Sequence, residues 1–358
     1  MTERERLKRL AQEAEARGWH DQADGYRAQA GSAGGANAAA LAARQRQAAL
    51  ERGALDHSHA PRWPWPTLQR LIGSLLAEAL IVIGARPGAG KTTFLLNLVE
   101  HFTALSIPWL YLGQELAPAQ LRRKWAALRC GYPAASVLRN EWQALPAEAR
   151  EAVDADVMAQ TSPPLVTIAH FGDHRRLDVM ALQKWVQFAV AEGCRVVFLD
   201  HIHRLRHGLD ATALTYETAE AVRTCKELAV KNRLVFLVAA QLNRADRDVL
   251  ADYFPPPVSS LKQTGALEEE ADTVLLLHRA VKRSATVGEL REVRQGQQPV
   301  ATVADPNVMA VRVGKHRDDG AAMDKTVWLA INPAGRLTER APEWRERQGV
   351  DPEERYEI

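Results

Sequence analysis

Short apolar runs alternate with longer stretches of helical periodicity from about residue 67 onward. Runs of five or six residues bounded by polar or turn residues are typical of buried strands. The predicted strands are 80–84, 109–113, 165–170, 195–199, 234–239, 273–277, 308–313 and 326–331. The predicted helices between them begin at Thr92, Pro118, Leu177, Thr215 and Glu268. Continuous apolar strands separated by helices indicate an α/β fold, with a mostly parallel twisted sheet covered by helices on both faces.

The periodicity changes at both ends of this α/β region. Residues 1–60 contain helical stripes and an alanine-rich stretch, which predict a short helical extension and linker. A proline-rich segment at 61–66 breaks the helical pattern, and we place the start of the main domain, 61–340, there. The last residues, 341–358, form a charged tail. Within the main domain, the last two strands are expected to pair as an antiparallel hairpin at one edge of the sheet.

The composition indicates the general class of protein but says little about its function. The chain has 358 residues, of which 46% are apolar and 25% charged, as in ordinary soluble globular proteins. The net charge of +2 creates no strong global field, so any binding of nucleic acid must come from local basic loops. The three cysteines lack metal or disulfide spacing, and no stretch approaches the roughly 18 apolar residues of a membrane span. We therefore expect a cytoplasmic location and no contact with membranes.

A glycine-rich segment follows the first strand and leads directly into a helix. Its residues are Ala85, Arg86, Pro87, Gly88, Ala89, Gly90, Lys91, Thr92 and Thr93. This order is that of a phosphate-binding loop, whose backbone N–H groups surround phosphate oxygens. Lys91 would contact the β- and γ-phosphates and the Thr92 hydroxyl would bind Mg²⁺. The strict pattern has a glycine at Ala85, and the alternative is a chance glycine-rich turn, but the full context predicts a nucleoside triphosphate site.

Three further strands end in polar residues that suit nucleotide chemistry. Asp200 closes an apolar run and would hold the Mg²⁺ shell beside the phosphate loop. Glu115 follows the strand 109–113 and could polarise a water molecule for attack on the γ-phosphate, or could instead cap the next helix. Gln241 ends another strand, where a side-chain amide could bind the γ-phosphate and transmit its loss to the following loop.

These segments, in this order, resemble the RecA-like ATPase domain of DnaB-type replicative helicases, and the similarity covers most of the chain. The motifs are ARPGAGKTT (85–93), GQELAPAQLRRK (113–124), VVFLDHIHRL (196–205), AAQLNRADRD (239–248), SLKQTGALEEEADTVLLLHR (260–279) and VGKHR (313–317). The ordered set is specific, because a generic P-loop kinase or GTPase would not supply the last three. The resemblance implies a RecA-like P-loop NTPase fold that uses ATP and Mg²⁺.

The resemblance also assigns roles to single residues. The residues implied in ATP hydrolysis are Lys91, Glu115, Gln241, Lys315 and Arg317, and those implied for Mg²⁺ are Thr92 and Asp200. In the family, the Lys-x-Arg pair matched by Lys315 and Arg317 reaches the ATP of the adjacent subunit. An arginine supplied across an interface would couple hydrolysis to assembly. The alternative is that both cations lie on a solvated edge strand.

Two loops are candidates for binding single-stranded DNA. In the family, the segment matched by residues 260–265 lines a central channel, and Lys262 and Gln263 stand where Arg and Glu are common. Lys262 could still neutralise phosphate as a point charge, and Gly265 retains a close backbone approach. The loop that contains Arg204 and Arg206 is a second basic candidate.

Some features depart from the family pattern. His201 follows the metal aspartate, where an aromatic residue is common. With His203 and His207 it suggests a metal site, but strand-end histidines without a Cys or Glu at ligand spacing are more often structural. A short helical segment stands where the family has a separate N-terminal domain.

The leading hypothesis is an ATP-driven helicase or translocase that acts on single-stranded DNA during replication as a ring, six-membered by the resemblance. Replication or loader proteins are candidate partners. One alternative is a RecA-like accessory loader or switch that binds DNA or protein partners without unwinding. Another is a strand-exchange or repair ATPase of the wider RecA superfamily. The basic loop at Lys262 favours nucleic acid over a purely protein partner, whereas the short N-terminal segment keeps the accessory role open.

Overall fold

In the computed structural model, the described residues are 60–138, 140–160, 166–170, 177–205, 214–242, 265–279 and 307–340, with isolated positions within 5–16 and 256–261. The chain divides into two compact units, Met1–His59 and Ala60–Ile358. Apart from those isolated positions, the predicted N-terminal helices lie outside the described residues, as does the charged tail. The division into an extension, a main domain and a tail therefore stays a prediction.

Nine strands form one sheet within the described part of the second unit. They are β1 (Leu80–Ala85), β2 (Trp109–Gly113), β3 (Val166–His170), β4 (Val196–Asp200), β5 (Val235–Gln241), β6 (Thr273–Arg279), β7 (Val308–His316), β8 (Thr326–Ile331) and β9 (Leu337–Glu339). Their order across the sheet is β3-β2-β4-β5-β1-β6-β7-β8-β9. The first six in this order pair in parallel and the last three are antiparallel, which confirms the predicted mostly parallel sheet.

The predicted hairpin forms between β7 and β8, but neither of these strands is the outermost strand of the sheet. The short strand β9, which was not predicted, pairs with β8 and takes the outer position. β7 also extends to His316, beyond its predicted end at residue 313, and pairs with β6 on its other side. The pairing with β8 ends at Arg312, so at Lys315 β7 has β6 as its only strand neighbour among the described residues, and the alternative of a solvated edge stays a prediction.

Eight α-helices are described. They are α1 (Pro66–Ile72), α2 (Lys91–Ala104), α3 (Pro118–Cys130), α4 (Ala134–Leu138), α5 (Ala147–Ala159), α6 (Val179–Ala191), α7 (Leu214–Asn232) and α8 (Gly265–Glu270). The predicted starts of α2, α3 and α7 agree within one residue, whereas α8 begins three residues before Glu268. Helices α1, α4 and α5 were not predicted. None of the described helices is long and apolar enough to cross a membrane.

The core lies on both faces of the sheet because successive strand residues point to opposite sides. In β1, Ile81 and Ile83 pack in the cluster that contains the buried residues of α2 and α3. Leu80 and Val82 pack in the other cluster, with α6 and α7. The prediction of helices on both faces is confirmed.

The buried amide of Asn97 ties α2 to the turn before β9. Its Nδ2 donates to the carbonyl oxygens of Thr93 and Gly335, at 2.8 and 2.9 Å. Its Oδ1 accepts from the Leu337 backbone N–H at 2.9 Å. This single side chain therefore joins α2 to β9, the outermost strand on that side of the sheet.

We predict that Asn97→Leu lowers the free energy of unfolding by about 3 kcal/mol, because the buried N–H of Leu337 and the partly buried carbonyl of Gly335 lose their partner. Chemical denaturation measures the change. Asn232→Leu is the matched control, since Asn232 makes one side-chain bond, to Leu228 of its own helix, and should cost less than about 1.5 kcal/mol. Equal costs for the two variants would contradict this role of Asn97.

Candidate nucleotide-binding site

The segment 85–93 has the predicted arrangement of strand, loop and helix. Ala85 is the last residue of β1 and Lys91 is the first of α2. Gly88 and Gly90 have positive φ angles of 78° and 99°, which favour glycine. A Cβ at Gly90 would also lie 2.8 Å from the Cε of Met309, the flexible end of that side chain, so the positive φ angle is the main reason for glycine here.

Lys91 lies folded back over this loop. The residue is buried, and its Nζ donates to the carbonyl oxygen of Ala85 at 3.2 Å. Burial lowers the pKa of the Lys91 ammonium, and the nearby negative charges of Asp200 and Glu115 oppose that shift. A buried cation that faces two carboxylates across a loop of backbone amides can bind a polyphosphate.

Asp200 ends β4 and is only 3% exposed. Its Oδ2 accepts from the Thr92 hydroxyl at 2.8 Å and from the Tyr111 hydroxyl at 2.7 Å. Its other oxygen, Oδ1, is buried and has no hydrogen-bond partner among the described residues. A buried carboxylate oxygen without a donor is costly, and a cation beside it would satisfy it.

This oxygen pair fits Mg²⁺. Mg²⁺ prefers hard oxygen ligands and is usually held by one or two protein groups, with phosphates and water completing its shell. The Thr92 hydroxyl and the Asp200 carboxylate are such ligands and lie side by side. The described residues contain no cluster of three or more His, Cys, Asp or Glu side chains that could hold a metal by themselves.

Tyr111 is a site residue that the sequence pattern missed, because it lies inside an apolar strand, WLYLG. Burial raises the pKa of its phenol well above the usual value, and the negative charge of Asp200 raises it further. The hydroxyl therefore stays protonated at neutral pH and donates to Asp200.

Glu115 lies two residues beyond β2, whose last residue, Gly113, pairs with Asp200. Its side chain is 49% exposed, and its Oε2 lies 4.0 Å from the Nε2 of His201. Helix α3 has Ala117 as its N-cap, two residues after Glu115, and both roles considered for Glu115 stay predictions.

Lys124 is a second cation that the sequence pattern missed. It lies on α3 and is the last residue of the motif GQELAPAQLRRK. Its place in that motif was the only feature of the sequence that pointed to it. Burial lowers the pKa of its ammonium, and the charges of Asp200 and Glu115 raise it. Lys124 therefore shares the electrostatic environment of Lys91.

Gln241 is the exposed last residue of β5 and pairs with Ala85, so it lies beside the start of the phosphate loop. Its carbonyl oxygen is 3.1 Å from the Nε2 of His203. Burial lowers the pKa of His203 to about 4, assisted by the nearby His201 and Lys91. The ring is thus neutral at pH 7 and donates Nε2–H, which links the turn after Asp200 to the end of β5.

The candidate DNA contacts are only partly described. Lys262, Gln263 and Arg206 lie outside the described residues. Arg204 ends a short 3-10 turn, and Gly265 is the exposed first residue of α8. These five residues stay predictions.

Lys315 and Arg317 lie at the amino ends of the parallel strands, whereas the phosphate loop lies at their carboxyl ends. Met309, near the start of β7, approaches Gly90, whereas Lys315 pairs with Val274 at the amino end of β6. The six residue steps from Met309 to Lys315 span about 20 Å of strand. Neither cation can therefore reach the phosphate loop of its own chain.

Comparisons with known proteins agree with this geometry. Residues 65–330 match the family model of the DnaB-like helicase C terminal domain. The chain is 24% identical over 222 residues to the replicative DNA helicase DnaB of Leifsonia xyli subsp. xyli, covering 59% of this chain and 45% of that protein. It is 25% identical over 243 residues to that of Treponema pallidum, covering 66% and 51%. The chain thus spans about half the length of the curated relatives it matches.

Two solved structures share the fold. One is described as an ATPase domain and superimposes with a TM-score of 0.65 at 18% identity, over 84% of this chain and 99% of that one. The other, a DnaB-like replicative helicase whose structure was described with its interactions with primase, superimposes with a TM-score of 0.64 at 17% identity. That match covers 94% of this chain and 76% of the other. These likenesses confirm the RecA-like fold.

We predict that Tyr111→Phe raises the Mg²⁺ concentration needed for half-maximal ATP binding about 10-fold, because Asp200 loses a donor that orients its carboxylate. Calorimetric titration of ATP at several Mg²⁺ concentrations measures the effect. Tyr132→Phe, which removes a hydroxyl from the separate cluster that packs α3 against α4 and α5, should leave the Mg²⁺ dependence unchanged. An unaltered Mg²⁺ dependence in Tyr111→Phe would show that this hydroxyl does not tune the site.

Proposed function

The chain belongs to the DnaB-like helicase C-terminal domain family, and on this premise we propose that it is an ATP-driven motor that assembles into a ring on single-stranded DNA. The observation that carries the proposal is the meeting of Lys91, Thr92 and Asp200 at the carboxyl ends of the parallel strands, beside the glycine-rich loop. ATP and Mg²⁺ are the proposed ligands.

Each residue at this edge has a distinct task in the proposed hydrolysis. Lys91 neutralises the β- and γ-phosphates as a point charge. Thr92 and Asp200 would hold Mg²⁺, which when bound neutralises charge that develops on the phosphates. Glu115 orients a water molecule and accepts its proton, and the half-exposed carboxylate is accessible for that task. Gln241 lies beside the loop and can respond to loss of the γ-phosphate.

The position of Arg317 supports a ring. A transition state that transfers a phosphoryl group needs additional positive charge on the γ-phosphate. Arg317 lies about 20 Å of strand away from its own loop, so it can provide this charge only to another subunit. Heterologous contacts of this type close into rings when the rotation between subunits allows it. Hydrolysis in such a ring requires assembly.

The DNA-binding part of the proposal rests on charge and chain order. Lys262 and Gln263 lie three and two residues before Gly265, where α8 begins. A lysine can neutralise a phosphate without reading the base. Arg204 and Arg206 are the second proposed contact. The loop with Arg204 follows β4, and the loop with Lys262 precedes α8. Changes at the nucleotide site could therefore alter DNA binding through these elements.

We predict that Arg317→Ala and Lys91→Ala subunits are each inactive alone but recover ATPase activity when mixed. Loss of an arginine finger typically lowers turnover by about 10³-fold or more. Mixed rings contain interfaces at which an intact Lys91 pocket faces an intact Arg317. Steady-state ATP hydrolysis at a fixed total concentration, across mixing ratios, measures the recovery.

The control is Glu115→Gln mixed with Lys91→Ala. Neither of these subunits has a complete pocket, so no ratio should restore activity. Glu115→Gln alone should still bind ATP, because the amide keeps the shape of the carboxylate but cannot act as a base. If the Arg317→Ala and Lys91→Ala mixture stays inactive despite confirmed subunit exchange, Arg317 does not act across an interface.

A further inference from the structure

The carboxylate of Asp272 binds three other parts of the fold. Its Oδ1 accepts from the Nη1 of Arg317 at 2.9 Å. Its Oδ2 accepts from the Nζ of Lys226 at 2.6 Å and from the Leu80 backbone N–H at 2.8 Å. The carbonyl oxygen of Asp272 also accepts from the backbone N–H of Arg317 at 2.9 Å. Arg317 is thus attached to this one residue through both its main chain and its side chain.

The carboxyl end of α8 completes the attachment. The Nη2 of Arg317 donates to the carbonyl oxygen of Glu269 at 3.2 Å. The Nζ of Lys315 donates to the carbonyl oxygens of Glu268 and Glu269. Carbonyls at the end of a helix carry partial negative charge, which favours cations. Both members of the Lys-x-Arg pair therefore rest on the same short helix.

We propose that Asp272 is the positioning residue of Arg317. The inference rests on the proposed function, in which Arg317 acts on the ATP of a neighbouring subunit. The contacts occupy two of the five N–H groups of the guanidinium, and the side chain is 51% exposed. Asp272 thus holds the inner edge of the guanidinium and leaves part of the group accessible to a phosphate.

The physical benefit is pre-organisation. An unrestrained arginine samples many rotamers and would lose that freedom when it meets the transition state. An arginine that is already held needs less ordering, and a misplacement of about 1 Å at a reacting centre can cost about 100-fold in rate. The Asp272 contact also joins the finger to α8, the helix that follows the proposed DNA loop.

Stability alone is a poor explanation for this contact. Ion pairs with a half-exposed partner usually contribute little to folding. The pair between Asp272 and Lys226 is more buried than the pair with Arg317, since the side chain of Lys226 is 20% exposed. Lys226 also donates to the carbonyl oxygen of Glu78 at 2.9 Å, so it has the more structural role. Lys226 therefore offers a matched control, because it contacts the same carboxylate but not the finger.

Mixing experiments test whether Asp272 acts on the side of the subunit interface that supplies Arg317. Asp272→Asn keeps an oxygen for Leu80 but loses the charge that holds Arg317. We expect the kcat for ATP hydrolysis to fall about 10- to 100-fold with an unchanged KM, because the variant's own pocket lies at the opposite edge of the sheet. Mixing with Lys91→Ala should restore activity, whereas mixing with Arg317→Ala should not. Restored activity in the second mixture would overturn the proposal.

Two controls separate positioning from damage to the fold. Lys226→Met should lower the melting temperature at least as much as Asp272→Asn, yet keep its kcat within about twofold of the unmodified chain. Asp272→Glu, which can still reach Arg317 with a carboxylate, should recover part of the lost kcat. If Lys226→Met lowers the kcat as strongly as Asp272→Asn, the effect is structural and the proposal is wrong.

Chemical modification of Arg317 tests its attachment to Asp272 without depending on ATP hydrolysis. Phenylglyoxal modifies accessible guanidinium groups, and mass spectrometry of proteolytic peptides from the treated full-length chain gives the rate at Arg317. We expect that rate to rise several-fold in Asp272→Asn and to stay unchanged in Lys226→Met. If Arg317→Ala and Lys91→Ala fail to complement, the finger in trans is wrong, while the phenylglyoxal rate still tests the attachment. Equal rates in all three proteins would overturn it.

Discussion

The buried carboxylate of Asp200 is the constraint on which the rest of the site depends. A charge that is 3% exposed is tolerated only when nearby donors and cations stabilise it. Its donors, Thr92 and Tyr111, come from α2 and β2, and the nearby cation Lys91 follows β1. These groups meet because β1, β2 and β4 run in parallel and end at the same edge of the sheet. The parallel order of the strands is therefore what brings the residues of the proposed phosphate site together.

The same sheet separates the two halves of the proposed catalytic machinery. The phosphate loop lies at the carboxyl edge of the parallel strands, and Arg317 follows β7 at the amino edge, where Asp272 and α8 hold it. A rigid sheet between the two prevents either from reaching the other within one chain. In the proposed ring, each subunit would supply a pocket to one neighbour and an arginine to the other. Hydrolysis would then depend on how subunits pack, which is a means of converting ATP turnover into movement.

The parts of the molecule that repeat a strong local pattern could be predicted from the sequence. Apolar runs located eight strands, and the order of strand, glycine-rich loop and helix located the segment around Lys91. Tyr111 could not be predicted, because its hydroxyl is hidden in an apolar run and only the register with β4 brings it to Asp200. Asp272 ends an acidic stretch, EEEAD, in which nothing local distinguishes it from its neighbours. Its role depends on contacts 45 or more residues away in the chain. Strand β9 is three residues long, too short to show a period.

Strand displacement on a forked DNA duplex tests the proposed motor most directly. The substrate carries one labelled strand, and release of that strand is followed with ATP, without ATP and with the Glu115→Gln variant. The proposed function predicts release only with ATP and with the unmodified chain, at protein concentrations where native mass spectrometry shows a closed oligomer. ATP hydrolysis that single-stranded DNA stimulates, without any release of the labelled strand, would contradict a motor that unwinds DNA. That result would instead indicate a RecA-like switch or loader.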